Sequence, residues 1–259
     1  MQTREVVGIG RTAEVLAWEE GKVIKLYYPS FPRDNAEHEA RIAESIQNAS
    51  LPGPKYYGMV EIDGRPGLIY DRISGPALFS WLEKRPWKID YIARLMAELQ
   101  YRIHQLPAPG APNQRKRLEY KINNANILPP EKKQKALAIL AALPDGDRLC
   151  HNDFHPGNIL MTDRGPIVID WVDVTVGNPL ADVGRTALLL RSAHIPEDFP
   201  ARRLLLLFRH RLHDIYLRSY ARLANIPLED IRVWDYPLTA ARLDENITEE
   251  NESLLQALE

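Results

Sequence analysis

Four polar residues that could do chemistry stand in one short segment, LCHNDFHPGNIL, at residues 149–160. They are His151, Asp153, His155 and Asn158, and polar groups are costly to bury without partners. On a strand the first three would share one face, an arrangement that suits a metal site. The Pro-Gly pair after His155 favours a loop, and a polar turn that hydrogen-bonds its own backbone is the simplest alternative.

The same segment has the spacing H-x-D-x-x-x-x-N, which is that of the catalytic loop in kinase-type phosphotransferases. In this interpretation Asp153 accepts or orients the proton of a substrate hydroxyl, and Asn158 binds Mg²⁺ through its side-chain oxygen. Such chemistry needs a second metal-binding carboxylate. Asp170 supplies one, directly after the apolar run PIVI. Between Asn158 and Asp170 the sequence TDRG predicts a hairpin turn. Because residue types, spacing and this hairpin agree, we favour phosphoryl transfer over the other two interpretations.

The elements that would position a nucleotide lie in the first third of the chain. Short β-rich runs separated by glycine-containing breaks predict strands there, with the sequences REVVGIG, AEVLAWEE and KVIKLYY. A nucleoside triphosphate needs main-chain N–H groups and a cation near its phosphates. Gly8 and Gly10 lie in the first turn, and Lys25 lies on the third strand among apolar neighbours.

A lysine in such a position needs a carboxylate partner. The next segment, DNAEHEARIAESIQ, has helical spacing and offers Glu37 and Glu39. We favour Glu39 because it would project from the apolar face that bears Ile42, and Glu37 remains open.

The chain changes character after residues 74–76, Ser-Gly-Pro. Apolar residues in WKIDYIARLMAELQYRIHQL recur with a period near 3.6, which predicts a helix. From Pro179 onward the sequence predicts helices only, four or five of them. We therefore expect an α+β chain with two lobes around a cleft. Residues 1–73 would form a small lobe with an antiparallel sheet and one helix, and residues 74–259 a larger, mainly helical lobe.

With these residues in order, the sequence resembles the aminoglycoside phosphotransferase and choline kinase superfamily, the small-molecule branch of kinase-like folds. The segments CHNDFHPGNIL and IVIDWVDVTVGNPLADVGRTALLL carry most of the resemblance, which covers roughly residues 5–190. It implies a bilobal protein-kinase-like fold. It also implies an enzyme that uses ATP and Mg²⁺ to move the γ-phosphate to a hydroxyl of a small molecule, most simply an aminoglycoside-like, sugar or amino-alcohol acceptor.

The resemblance also implies a role for each matching residue. Asp153 would be the catalytic base, and Asn158 and Asp170 would hold Mg²⁺. Lys25 would contact the ATP phosphates and pair with Glu39. The hinge whose main chain binds adenine would include Tyr70, Asp71 and Ile73.

Further positions are implied to be structural. Asp182 matches the aspartate that braces the catalytic loop, although a charge at a helix N-terminus is an equally compatible interpretation. His151 and His155 would orient the loop through hydrogen bonds rather than bind metal.

The chain departs from the family pattern at two positions. Asn152 replaces the usual glycine, a mild change because asparagine tolerates unusual backbone angles. Ala13 stands where protein kinases have a third glycine, which loosens the assignment of the phosphate loop. The chain also lacks the Ala-Pro-Glu and activation-loop features of protein kinases, which argues against a protein substrate.

Composition excludes several other classes of protein. The 259 residues carry a net charge of −2, so nothing favours a nucleic-acid partner. The single cysteine, Cys150, excludes an internal disulfide framework. No apolar run approaches the roughly 20 residues of a membrane span, and the N-terminus lacks a signal-peptide core. We therefore expect a cytoplasmic protein without a membrane partner. The sequence does not indicate an oligomeric state.

The acceptor is the least determined part of the interpretation. Residues 227–259 contain nine acidic residues and two arginines, and an acidic wall would favour a cationic acceptor. A solvated helix face explains the same residues more simply, and the arginine-rich stretch at residues 201–222 points the other way. Amino sugars, neutral sugars, choline-like alcohols and macrolides all stay open.

Two alternative functions remain. A nucleotide-binding module without catalysis is disfavoured because Lys25, Asp153, Asn158 and Asp170 are all present. A metal-dependent hydrolase built on the histidines and Asp153 would leave the first third of the chain unexplained.

Overall fold

The computed structural model describes residues 4–10, 12–47, 53–108, 110–195, 197 and 202–259. Contacts between residues divide the chain into two units. The first unit comprises residues 1–76 and 160–172, and the second comprises residues 77–159 and 173–259. The lobe boundary at residues 73/74 stays a prediction, and residues 160–172 group with the first unit.

The first unit is built on a five-stranded antiparallel sheet with the strand order β1-β2-β3-β5-β4. One α-helix, α1, lies between the third and fourth strands of its described sequence. The elements are β1 (Val6–Ile9), β2 (Ala13–Ala17), β3 (Lys22–Tyr27), α1 (Arg33–Gln47), β4 (Tyr56–Ile62) and β5 (Arg65–Asp71).

The two faces of this sheet bury different side chains. Alternation along β3 sends Ile24 and Leu26 to one face, where they pack with Ile69. Tyr27 packs on the other face with Ala36 and further residues of α1. Lys25 has the same parity as Tyr27, so the strand period directs it toward the helix-covered face.

The turn between β4 and β5 follows from its Asp-Gly pair. Asp63 and Gly64 have φ angles of 51° and 76°. Two successive residues with positive φ characterise the tight hairpin turn that matches strand twist, and Asp-Gly is a preferred pair for it. The turn joins β4 and β5 into an antiparallel pair.

The second unit is mainly helical. It begins with α2 (Leu78–Glu83), α3 (Ile89–Ile103), α4 (Gln114–Asn124), α5 (Pro130–Ala142) and the short strand β6 (Arg148–Cys150). The chain then forms the hairpin of β7 (Ile159–Thr162) and β8 (Gly165–Val168), which from residue 160 onward belongs to the first unit. It returns to the second unit with β9 (Thr175–Gly177), which pairs with β6. The remaining helices are α6 (Pro179–Ser192), α7 (Arg202–Ala224), α8 (Glu229–Arg232), α9 (Asp235–Arg242) and α10 (Thr248–Gln256).

Helix α6 is the centre of this unit. Every residue from Ala181 to Leu190 is buried, which is typical of a helix surrounded by others. A core of apolar side chains from α4, α5, α6, α9 and α10 packs together, including Ile122, Leu140, Leu188 and Leu238. The predicted α+β architecture is confirmed. No helix in the described ranges is long and apolar enough to cross a membrane.

Candidate functional site

The loop after β6 holds Asp153 through contacts made within a few residues of it. The Nδ2 of Asn158 donates to both the main-chain oxygen and the Oδ2 of Asp153, each at 2.9 Å. The Nδ1 of His155 accepts from Gly157 N at 3.0 Å, which leaves its proton on Nε2. That nitrogen lies 3.5 Å from Asp153 Oδ2. Asp153 is thus oriented by its own loop.

This environment keeps Asp153 ionised. Burial alone would raise its pKa, but the hydrogen bond from His155, and then the charge of Arg185, lower the pKa below the usual range. A carboxylate with so low a pKa is a weak base. It is therefore suited to aligning a hydroxyl and to receiving its proton late in a reaction.

Asp182 fixes the start of the same loop from the first turn of α6. Its Oδ2 accepts from His151 N and from His104 Nε2, both at 2.9 Å, and its Oδ1 accepts from Asn152 N at 2.6 Å. The side chain is completely buried. Burial opposes the charge, yet the hydrogen bond from His104 and the charges of the histidines lower the pKa of Asp182.

In the first unit, Lys25 binds two carboxylates. Its Nζ lies 2.9 and 3.1 Å from the two carboxylate oxygens of Glu39 and 3.3 Å from Asp170 Oδ1. Glu37 instead pairs with Arg33 at 3.0 Å. Burial would lower the pKa of Lys25, but the charges of Asp170 and Glu39 more than offset it and raise the pKa. Lys25 is therefore a permanent cation held in a fixed place.

Asp170 and Asn158 each keep an oxygen that could bind a cation. Asp170 adopts a left-handed backbone with φ of 62°, and its side chain is 41 % exposed. Within the described ranges its Oδ2 accepts no hydrogen bond, and neither does Asn158 Oδ1. A carboxylate and an amide oxygen are hard ligands of the type that Mg²⁺ prefers, so each of the two residues, taken by itself, offers a donor that fits the expected ion.

A family model described as "Phosphotransferase enzyme family" matches residues 7–226. The chain belongs to this family. The predicted family and the predicted phosphotransferase activity are both confirmed. No curated protein matches the phosphotransferase in sequence.

Solved structures resemble the phosphotransferase in fold. A thermostable mutant of aminoglycoside phosphotransferase APH(4)-Ia, in ternary complex with AMP-PNP and hygromycin B, is 16% identical with a TM-score of 0.67, covering 99% of this chain and 90% of that one. A choline kinase from Cryptosporidium parvum Iowa II is 12% identical with a TM-score of 0.57, covering 99% and 87%. Macrolide 2'-phosphotransferase MphH from Brachybacterium faecium is 18% identical with a TM-score of 0.55, covering 99% and 92%. These likenesses confirm the kinase-like fold.

The phosphotransferase places the two predicted loop glycines at the end of β1. Gly8 pairs with Val15 next to a register shift. Gly10 N donates to Ala13 O at 2.9 Å, and a Cβ on Gly10 would lie 3.2 Å from that same oxygen. A side chain at position 10 would therefore crowd this oxygen. Residue 11 lies outside the described residues, so the tip of this loop is not part of the description.

The three predicted hinge residues differ in what they offer. The hydroxyl of Tyr70 lies 3.4 Å from Glu39 Oε1. Asp71 is bound to Lys55, with Asp71 N donating to Lys55 O and its carboxylate accepting from Lys55 N, both at 3.0 Å. Within the described part of the chain, the main chain of Ile73 makes no protein hydrogen bond. Of the three residues, Ile73 is the one whose main-chain N–H and C=O groups are free to hydrogen-bond a nucleotide base.

The departure from glycine at position 152 has a structural explanation. Asn152 has φ of 60°, a left-handed conformation that asparagine adopts more readily than most residues. Its Nδ2 donates to Asp173 O at 2.9 Å and to Thr175 Oγ1 at 2.8 Å. The side chain therefore ties the loop after β6 to the segment that enters β9, and glycine has no side-chain atoms that could do this.

The hydrolase alternative finds no support in the geometry. In the described ranges, one group of three side chains brings metal-ligating atoms together, and it consists of His104, Cys150 and Asp182, all buried. His104 is already engaged there, with Nδ1 at 2.5 Å from Tyr220 Oη and Nε2 on Asp182. The loop residues Asp153 and His155 form no such group.

Sequence reasoning missed Arg185, which lies one turn after Asp182 on α6. Its Nε donates to Asn152 O at 3.3 Å, and its charge lowers the pKa of Asp153. The spacing carried a usable signal, because residues three apart on a helix share a face. A charged residue three positions after the bracing aspartate faces the same loop.

Proposed function

We propose that the protein is a kinase that uses ATP and Mg²⁺ to phosphorylate a hydroxyl group of a small molecule. The observation that carries this proposal is the ionised Asp153, which His155 and Asn158 orient in a loop braced by Asp182. Family membership supports the reaction class. The nucleotide, the ion and the residue roles are part of the proposal.

In the proposed reaction, the acceptor oxygen forms a bond to the γ-phosphorus while the bond from that phosphorus to the β–γ bridging oxygen breaks. Asp153 receives the hydroxyl proton, and ADP leaves with the bridging oxygen. Lys25, a cation fixed by Glu39, would bind the triphosphate. Asn158 and Asp170 would hold Mg²⁺, which when bound supplies charge neutralisation at the phosphates. Positioning and electrostatic stabilisation would provide most of the rate gain.

The test is a turnover assay with Mg·ATP and a panel of hydroxyl compounds, comparing wild type with Asp153→Asn. We expect acceptor-dependent ADP release that the substitution lowers by about 10²–10⁴-fold, with nucleotide affinity unchanged. Asp163→Asn is the matched control, because it removes the same charge from an exposed position in the β7–β8 turn. Unchanged turnover in Asp153→Asn would overturn the assignment of the base.

A kinase-like module that binds nucleotide without catalysis is the second candidate. It predicts that Mg·ATP binds while no acceptor in the panel stimulates ADP release. Nucleotide binding is therefore measured separately by calorimetry, on wild type and on Asp153→Asn.

A further inference from the structure

A cleft in the second unit borders the loop that carries Asp153, and its lining combines three cations with neutral polar and apolar side chains. Helix α4 contributes Arg117 and Lys121, α6 contributes Arg185, and Asn152 and Asp173 complete the polar wall. Residues 117 and 121 are four apart on a helix and so share a face. Arg185 donates to Asn152 O at 3.3 Å, and its charge lowers the pKa of Asp153, so this cation of the cleft lies close to the proposed base.

The carboxylates around the cleft are already shared among these cations. Glu245 accepts from Lys121 at 3.1 Å and from Arg185 at 2.5 Å, and it also pairs with Arg242. Burial would raise the pKa of Glu245, but Arg185, Lys121 and Arg242 lower it to about 2. One carboxylate is thus shared by three cations.

The other acidic groups near the cleft are similarly occupied. Glu250 is bound by Arg242 through two hydrogen bonds of 2.7 and 2.8 Å. The carboxylate and main-chain oxygen of Asp173 accept from Arg117. Glu245 and Glu250, two acidic residues of segment 227–259, are therefore paired with cations.

Hydrogen-bond donors remain in excess. A guanidinium has five N–H donors and an ammonium has three. Within the described residues, Arg185 uses Nε and one Nη, Arg117 uses both Nη atoms, and Lys121 makes one bond. Donors of three cations thus remain without protein acceptors, in a cleft with a single lining carboxylate. Such a site suits an oxyanion, because charge-assisted hydrogen bonds from arginine to carboxylate or phosphate are strong.

We infer that the acceptor carries an anionic group, a carboxylate or a phosphate, which Arg117, Lys121 and Arg185 bind while a hydroxyl of the same molecule faces Asp153. This inference rests on the proposed function and names its substrate class. An amine-bearing acceptor would place its ammonium among three cations, where like charges repel. The aminoglycoside-like and amino-alcohol acceptors expected from the sequence are thereby disfavoured.

The test compares small alcohols of matched size that differ in charge. The full chain, saturated with Mg·AMP-PNP to occupy the nucleotide site, is titrated calorimetrically with glycerate, glycerol 3-phosphate, glycerol and 3-amino-1,2-propanediol. We expect the two anions to bind at least about tenfold more tightly than the neutral and cationic compounds. Glycerate and glycerol 3-phosphate distinguish a carboxylate site from a phosphate site.

Substitutions localise the binding. Lys121→Gln and Arg117→Gln are each expected to weaken anion binding by about tenfold or more. Lys116→Gln is the control, since it removes one charge from an exposed position on the same helix and is expected to change nothing. If Arg117→Gln fails to fold, Lys121→Gln alone decides. Undetectable anion binding, anion binding that neither variant weakens, or preference for the ammonium compound would overturn the inference.

The same compounds, assayed with Mg·ATP, separate the two proposals. Asp153-dependent phosphorylation of a cationic alcohol would uphold the kinase and overturn the anionic acceptor. Anion binding that depends on Lys121, together with no affinity for Mg·ATP, would uphold the anion site and overturn the kinase.

Discussion

Lys25 in the first unit and Asp153 in the second are both ionised side chains with limited access to water, but they are held in different ways. Lys25 lies between two carboxylates from residues 14 and 145 positions away in the chain. Asp153 is oriented by His155 and by Asn158, five positions away at most. The first arrangement depends on how separate elements pack, and the second on the conformation of one loop.

Both units contain one ion shared by several ions of opposite charge, and the charge of the shared ion differs between them. Glu245 is one carboxylate among three cations, as Lys25 is one cation between two carboxylates. In each case the shared ion is the member whose removal leaves the others uncompensated, which is costly for partly buried charges. The comparison therefore predicts which substitutions affect folding and which affect only chemistry.

The largest effect on folding is expected at the residue that braces the loop. Asp182→Asn removes a fully buried charge that accepts three hydrogen bonds, so the free energy of unfolding should fall by about 3–5 kcal/mol. Chemical denaturation measures it, with Asp230→Asn, an exposed acid in α8, as control. An unchanged free energy of unfolding would show that the loop needs no brace.

Glu245→Gln should destabilise the protein in a way that depends on pH. The pKa of Glu245 in the folded protein, about 2, lies below its ordinary value of 4.5. Its ionisation therefore stabilises the fold fully above pH 4.5, and this contribution disappears as the pH falls through about 2. The free energy difference between wild type and variant should approach about 3 kcal/mol near neutrality and vanish near pH 2. A difference independent of pH would contradict this assignment.

Lys25→Met tests the cation of the first unit. We expect kcat/KM for ATP to fall by about 10²-fold, the scale on which a single electrostatic contact to a reacting group acts. Lys22→Met is a close control, because Lys22 lies on the same strand and pairs with the exposed Glu19. Equal effects of the two substitutions would mean that the partners of Lys25 confer no special role.

The smallest effect is expected at Arg33, which pairs with Glu37 and Glu61 on the surface of the first unit. Exposed pairs contribute little because water and salt screen them. Arg33→Gln should leave the melting temperature unchanged and alter nucleotide affinity by less than about twofold. A clear loss of stability would contradict the expectation that exposed ion pairs contribute less than the ions around Lys25.

Much of the fold followed from local patterns. Alternating β-rich runs predicted the sheet, and a period of 3.6 predicted α3, because both periodicities are properties of a single element. The loop that carries Asp153 was identified by spacing, since its defining contacts span only a few residues. The hinge was harder to predict from the sequence. Whether Asp71 or Ile73 has free main-chain groups depends on Lys55, which lies on a different segment.

The sequence by itself determined the reaction class, and the loop HNDFHPGN already contains His155 and Asn158, the side chains that orient its own aspartate. Only the tertiary structure decided the charge of the cleft beside that loop. The last 33 residues are acidic in sequence, yet Glu245 and Glu250 are neutralised, Glu245 in part by cations 60 and 124 positions away. Which charges pair in a folded chain depends on which helix faces pack together. The number of acidic residues in one segment does not predict that packing.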